Sequence, residues 1–143
     1  MMKKLITQFV ISLALLSGSG AALAGGGEEM SPAVRHDINP KYVSLTEGEM
    51  LYKRGDVYFF DVNTLEIWAE GYIPGAVFFN VQNWRELLPK NKDAEMVFYC
   101  ANRLCTASAV AAREVMKLGY THVMQMPDGI YGWRMSGRPF ERP

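Results

Sequence analysis

The sequence predicts an α/β domain built on an open parallel sheet flanked by helices. Short apolar runs alternate with amphipathic segments from Tyr42 onward, the strand runs lack the polar alternation of a half-exposed sheet, and Gly or Pro punctuates most of the joints. Tyr42 to Ser44 reads as a short first strand. Thr46 to Glu49 has the spacing of a capping box, and Leu45, Glu49, Met50 and Tyr52 lead a helix that ends near Gly55. Val57 to Val62 and Val77 to Val81 are β-rich runs expected to be covered on both faces. Asn83 to Leu88 is a short helix stopped by Pro89, and Met96 to Tyr99 is a buried strand that ends on Cys100. Thr106 to Leu118 is the clearest helix. Ala107, Ala111, Val115 and Leu118 share one face, and Gly119 supplies the stop before a last strand, His122 to Met126.

Ahead of this domain stands a segment of a different kind. Lys3 and Lys4 precede an uncharged apolar stretch around Phe9 to Leu16, with small residues at Ala22 and Ala24, the layout of a secretory signal cleaved after Ala24. The apolar run is shorter than the roughly 20 residues a membrane span needs, so no stable membrane association is expected after cleavage. The expected organisation is a signal at 1–24, an irregular leader at 25–41 rich in Gly, Glu and Pro, and one domain at 42–143. The mature protein is expected outside the cytoplasm: in the periplasm if the source has an outer membrane, otherwise secreted.

Charge narrows the function classes. The full chain has 15 basic and 15 acidic residues, and removal of the signal leaves 13 against 15. No concentrated basic patch is present, which argues against nucleic acid as a partner. No G-x-S-x-G serine, Walker loop or dinucleotide fingerprint occurs, so hydrolase, NTPase and dehydrogenase readings lack their required parts. The two cysteines, Cys100 and Cys105, and the two histidines, His36 and His122, are poorly spaced for zinc, and neither a metal nor another cofactor is expected.

Cys100 is the most informative residue. It lies at the carboxyl end of a predicted parallel strand, before a loop and a helix, where open α/β sheets bind ligands. A loop of Ala101, Asn102, Arg103, Leu104 and Cys105, closed by Thr106, is expected to turn backbone N–H groups toward the sulfur. Such a nest lowers a thiol from its usual value of about 8.5 and makes it nucleophilic without a neighbouring His. The plainer reading is a small buried residue closing a strand.

The order Asp61-Val62-Asn63, Gly71-Tyr72-Ile73-Pro74-Gly75-Ala76, Tyr99-Cys100 with Thr106 opening a helix, and Asp128-Gly129 with Trp133, Gly137 and Pro139 resembles the landmarks of a rhodanese-like domain, from about Tyr42 to Glu141. The resemblance implies five parallel strands, a persulfide carried on Cys100 between a small sulfur donor and a thiol or protein acceptor, and a structural role for Asp61. Tyr131 and Trp133 read as core and pocket wall, or as rim of the active loop if the family arrangement holds, and a monomer is expected. Two positions depart from the family's pattern: Tyr72 stands where His is common, and Cys105 stands where an Arg usually ends the loop. Loss of that Arg removes a charge for an anionic donor such as thiosulfate and argues against a phosphatase. Arg103, inside the loop, reads as a solvated surface residue, with supply of a replacement charge as the alternative. Cys105 opens an alternative, a thiol-disulfide redox protein using both cysteines. A non-catalytic binding module is the third reading, with Cys105 as an apolar filler.

Overall fold

The computed structural model describes residues 38–143; the expected signal and all but the last few residues of the expected leader lie outside them. Five parallel strands form one sheet in the order β1-β5-β4-β2-β3. They are β1 (Lys41–Tyr42), β2 (Tyr58–Asp61), β3 (Val77–Phe78), β4 (Met96–Tyr99) and β5 (Val123–Gln125). The register pairs Asp61 with Tyr99 and Phe98 with Gln125. The two strands at the edges are only two residues long, which leaves little unpaired backbone exposed there.

Because side chains alternate across a strand, each central strand feeds both faces. Phe59, Val97, Tyr99 and Met124 point to one core, which is closed by α1 (Leu45–Arg54) and α4 (Gly129–Met135) through Leu51, Tyr52, Ile130 and Trp133. Phe60, Met96, Phe98 and Val123 point to the other, closed by α3 (Ala107–Lys117) through Ala112 and Val115 and by a single 3-10 turn at Trp84–Leu87. This explains the unbroken apolar runs: a strand covered on both faces has no side left for polar residues. Among the described residues, no helix is long and apolar enough to cross a membrane.

Several boundaries move from their sequence-derived positions. The capping box of α1 uses Ser44 and Glu47, two residues earlier than the Thr46 to Glu49 spacing suggests, and both reciprocal bonds are made. Both tetrads satisfy the pattern, and the one adjoining β1 wins because Val43 is fixed to Gln125 by a ladder bond. The α1 stop is as expected, with Gly55 in a left-handed conformation at φ 79°. The predicted face of α3 is rotated by one residue. Ser108, Ala112 and Val115 are buried, whereas Ala107 and Leu118 are exposed. A serine on the inward face hid the true periodicity. The helices α2 (Leu65–Glu70) and α4 have no counterpart in the sequence reading, because the first is one and a half turns with no buried residue and the second contains two glycines.

Replacing Ser44 by Ala removes the side-chain half of the box and should lower stability by about 1 kcal/mol, read as a shift of the urea midpoint at constant slope. An unchanged midpoint would show that the box contributes nothing.

Candidate active site

β4 delivers Cys100 to the carboxyl edge of the sheet, where the chain leaves for the loop and returns as α3. Two carbonyls at the start of that loop are captured by the first turn of α4. Ile130 N–H donates to the Cys100 carbonyl at 2.8 Å and Tyr131 N–H to the Ala101 carbonyl at 3.0 Å. Helix N-termini carry N–H groups with no partner inside the helix, and these two are used to hold the loop. The approach requires Gly129, whose φ is +62° and where an added Cβ would lie 2.5 Å from the Ala101 oxygen. A second clamp comes from Arg103, whose Nε donates to Asp128 Oδ1 at 2.6 Å and whose Nη2 donates to Oδ2 at 3.3 Å. Arg103 is thus exposed as expected but not free, since its charge is paired.

Inside the loop, Asn102 organises a tight turn. Its side-chain oxygen accepts from Leu104 N–H at 3.0 Å and its carbonyl from Cys105 N–H at 3.0 Å. Those two amides are therefore directed at Asn102 and not at the Cys100 sulfur. Leu104 projects into solvent, 91% exposed, and Thr106 is exposed at the start of α3, making no side-chain cap. The Cys100 and Cys105 sulfurs lie at bonding distance, with Cα atoms 6.3 Å apart, inside the range that a disulfide spans. Cys100 is 2% exposed, and Cys105 is intermediate. The Cys100 sulfur lies 3.4 Å from Ser108 Oγ, in the first turn of α3, and 3.5 Å from the Cys105 carbonyl oxygen. Ser108 Oγ in turn accepts from Gln125 Nε2 at 2.9 Å. The sequence reading did not single out Ser108 or Gln125; the signal was there as a Gln in an otherwise apolar strand.

Beneath the site, Asp61 and Tyr99 face each other across β2 and β4. Asp61 is fully buried, and its Oδ1 accepts from Asn63 N–H at 2.8 Å. Burial pushes its carboxyl up to about 6, against the opposing pull of the Asn63 amide and the Tyr99 hydroxyl. Tyr99 is pushed well above its usual value by burial first and by the Asp61 charge second, and its hydroxyl accepts from Ile73 N–H at 3.1 Å. These contacts tie the Tyr72-Ile73-Pro74 segment to the strand that carries Cys100, a structural role. Asp61 Oδ2 and both side-chain polar atoms of Asn63 are buried without a partner among the described residues. Trp133 does not rim the loop. It is 0% exposed in the core, stacked edge-on against Tyr52, with its indole N–H donating to the Pro139 carbonyl at 2.7 Å. Tyr131, two residues earlier on α4, is half-buried against the same core and adjoins the loop through its backbone. His122 is exposed at the turn before β5, beside Thr121 Oγ1. Among the described residues, no group of three His, Cys, Asp or Glu side chains is placed to hold a metal ion.

A five-stranded parallel sheet with a cysteine on the strand-to-helix loop at its carboxyl edge defines a class of α/β thiol proteins. Residues 45–136 match the model of the Rhodanese-like domain, and the chain belongs to that family. A curated relative, an HTH-type transcriptional regulator of Mycobacterium tuberculosis, is 30% identical over 101 residues, a match that spans 68% of this chain and only 44% of that protein. The rhodanese-like domain of an Anabaena protein superposes with a TM-score of 0.59 at 21% identity, covering 73% of this chain and 80% of that one. A polysulfide-sulfur transferase homodimer from Wolinella succinogenes gives 0.59 at 18% identity, with the same two coverages. At these identities the solved structures bear on the fold alone.

Two outcomes follow from the site's construction. Gly129→Ala should destabilise the protein by about 2 kcal/mol or more and loosen the loop, seen as a lower melting temperature and faster amide exchange at Ile130 and Tyr131; an unaltered protein would mean that the close approach is not required. For Asp61, the folded carboxyl titrates near 6 and the unfolded one near 3.8. The folded state then holds the extra proton between those values, so this group's contribution falls as pH rises through that window, by up to about 3 kcal/mol. Asp61→Asn should remove that part of the pH dependence of the urea midpoint, and identical pH profiles for the two proteins would contradict the burial effect.

Proposed function

We propose that this protein carries sulfane sulfur as a persulfide on Cys100 and passes it to a thiol or another nucleophilic acceptor. The observation that carries the reading is the position of the Cys100 sulfur, at the end of the central strand, against the first turn of α3 and within reach of the Ser108 hydroxyl. The N-terminal end of a helix favours negative charge, so the reduced thiol is favoured as thiolate there. The thiolate attacks the outer sulfur of a donor, a sulfur–sulfur bond forms, and the donor's leaving group departs with the electron pair. An acceptor thiolate then takes the outer sulfur and returns Cys100 to thiolate. The loop's single basic side chain is occupied by Asp128, which favours a persulfidated thiol over thiosulfate as donor. Membership of the rhodanese-like family supports the same reading, and the fold is shared with a Wolinella protein named as a polysulfide-sulfur transferase.

The proximity of Cys105 favours a second reading, thiol-disulfide exchange by the pair. The two are compatible: attack of a Cys105 thiolate on the inner sulfur of a Cys100 persulfide would close the bridge and release hydrosulfide. Export, with cleavage after Ala24, belongs to this proposal, since outside the cytoplasm no glutathione pool keeps the pair reduced.

Intact mass measured on reduced protein after exposure to a polysulfide or to thiosulfate separates the readings. A gain of one sulfur atom, reversed by reductant and absent in Cys100→Ser, is the expected result. Retention of the adduct in that variant would remove Cys100 from the mechanism. Loss of two hydrogens with no adduct from any donor would leave the redox reading in its place.

A further inference from the structure

The bridge between Cys100 and Cys105 is chemically lopsided. Cys100 is 2% exposed and enclosed by the sheet, α3 and the loop, whereas Cys105 is partly open to solvent between the exposed Leu104 and Thr106. The surroundings of the two sulfurs differ as well. Ser108, itself 1% exposed, has its oxygen 3.4 Å from the Cys100 sulfur, and that oxygen already accepts from Gln125 Nε2 at 2.9 Å. With the amide as donor to the serine oxygen, the hydroxyl proton is available to the sulfur. A bridged sulfur carries no proton, so this contact has the serine as donor. Gln125 is 5% exposed on a strand otherwise made of Val123 and Met124, on the same face as Val123 and in register with Phe98. A buried amide in that strand costs desolvation, and the serine oxygen is the acceptor it meets.

We infer that an incoming thiol opens the bridge at the Cys105 sulfur and expels Cys100 as a thiolate that receives the Ser108 hydrogen bond. This rests on the reading that the cysteine pair is chemically active and specifies how the pair is returned to its working state. Attack requires access to one sulfur and a stabilised departure of the other, and both conditions select the same direction. The thiolate of a small or protein thiol forms a bond to the Cys105 sulfur; the Cys100–Cys105 bond breaks and its electron pair stays on Cys100. A second thiol then displaces Cys105 from the mixed disulfide. Two thiols are oxidised to one external disulfide, and the bridge gains two electrons and two protons. Cys100 is the first sulfur freed, so the nucleophile needed for sulfur uptake is regenerated before its partner. Ser108 acts through Cys100 as a positioning residue, and Gln125 acts through Ser108.

The test treats the oxidised, folded protein with glutathione, quenches at short times in acid, alkylates free thiols and maps the peptides. Glutathione on Cys105 with the alkyl label on Cys100 is the expected pattern. Glutathione on Cys100 with the label on Cys105 would overturn the direction while leaving the pair reactive. A bridge that glutathione leaves closed in the folded protein, yet opens after unfolding, would overturn both the direction and the reading of the pair as active. Ser108→Ala should slow opening by about tenfold, and in a Cys105→Ser background it should raise the pH at which the Cys100 thiolate absorbance appears. If neither the rate nor the titration moves, Ser108 has no part in stabilising the departing sulfur.

Discussion

The site depends on two hydrogen bonds from the first turn of α4 to the carbonyls of Cys100 and Ala101. They join residues thirty positions apart in the chain and hold the start of the loop against α4. Gly129 makes the approach possible, and the Arg103–Asp128 pair reinforces it from the outer side. Amides that would otherwise lack partners at a helix end become the clasp of the loop. The Cys100 sulfur lies on the α3 side because it alternates with Tyr99, which faces α1 and α4.

The parity of the sheet then divides the surroundings into two sorts. Asp61, Tyr99 and the Ile73 amide meet on the face covered by α1 and α4, where they brace the loop from below. Gln125 and Ser108 meet on the face covered by α3, and there Ser108 reaches the sulfur itself. A one-residue shift of β5 would turn Gln125 to the opposite face and separate it from Ser108. The ladder between β4 and β5, which pairs Phe98 with Gln125, therefore sets the surroundings of the Cys100 sulfur as well as the scaffold.

Much of the fold was legible because it rests on local rules. Met96–Tyr99 was readable as a strand to the residue, since a four-residue apolar run bounded by charged residues and Cys has few other readings. The stop of α1 at Gly55 was legible for the same kind of reason. The inward face of α3 was not, because Ser108 is polar and becomes an interior residue only when Gln125 and Cys100 supply partners. For Trp133 the core and the rim of the loop both stood open, because sequence order puts it near Asp128-Gly129, and the turn of α4 decides for the core beside Tyr52. The loop amides were expected to face the sulfur. Asn102 competes for two of them with oxygens that are closer along the chain.

The sequence by itself determined the α/β class, the succession of the main elements and the place of Cys100 at the end of a buried strand, because apolar runs, caps and stops act over a few residues. It also placed a second cysteine on the same loop. Tertiary structure alone decided that the two sulfurs come together, that Arg103 is neutralised by Asp128, and that a serine held by a glutamine seventeen positions away lies against Cys100. Those outcomes depend on strand order, register and the packing of α4 against the loop. Such relations are set when distant segments bury their surfaces together, and no local pattern records them.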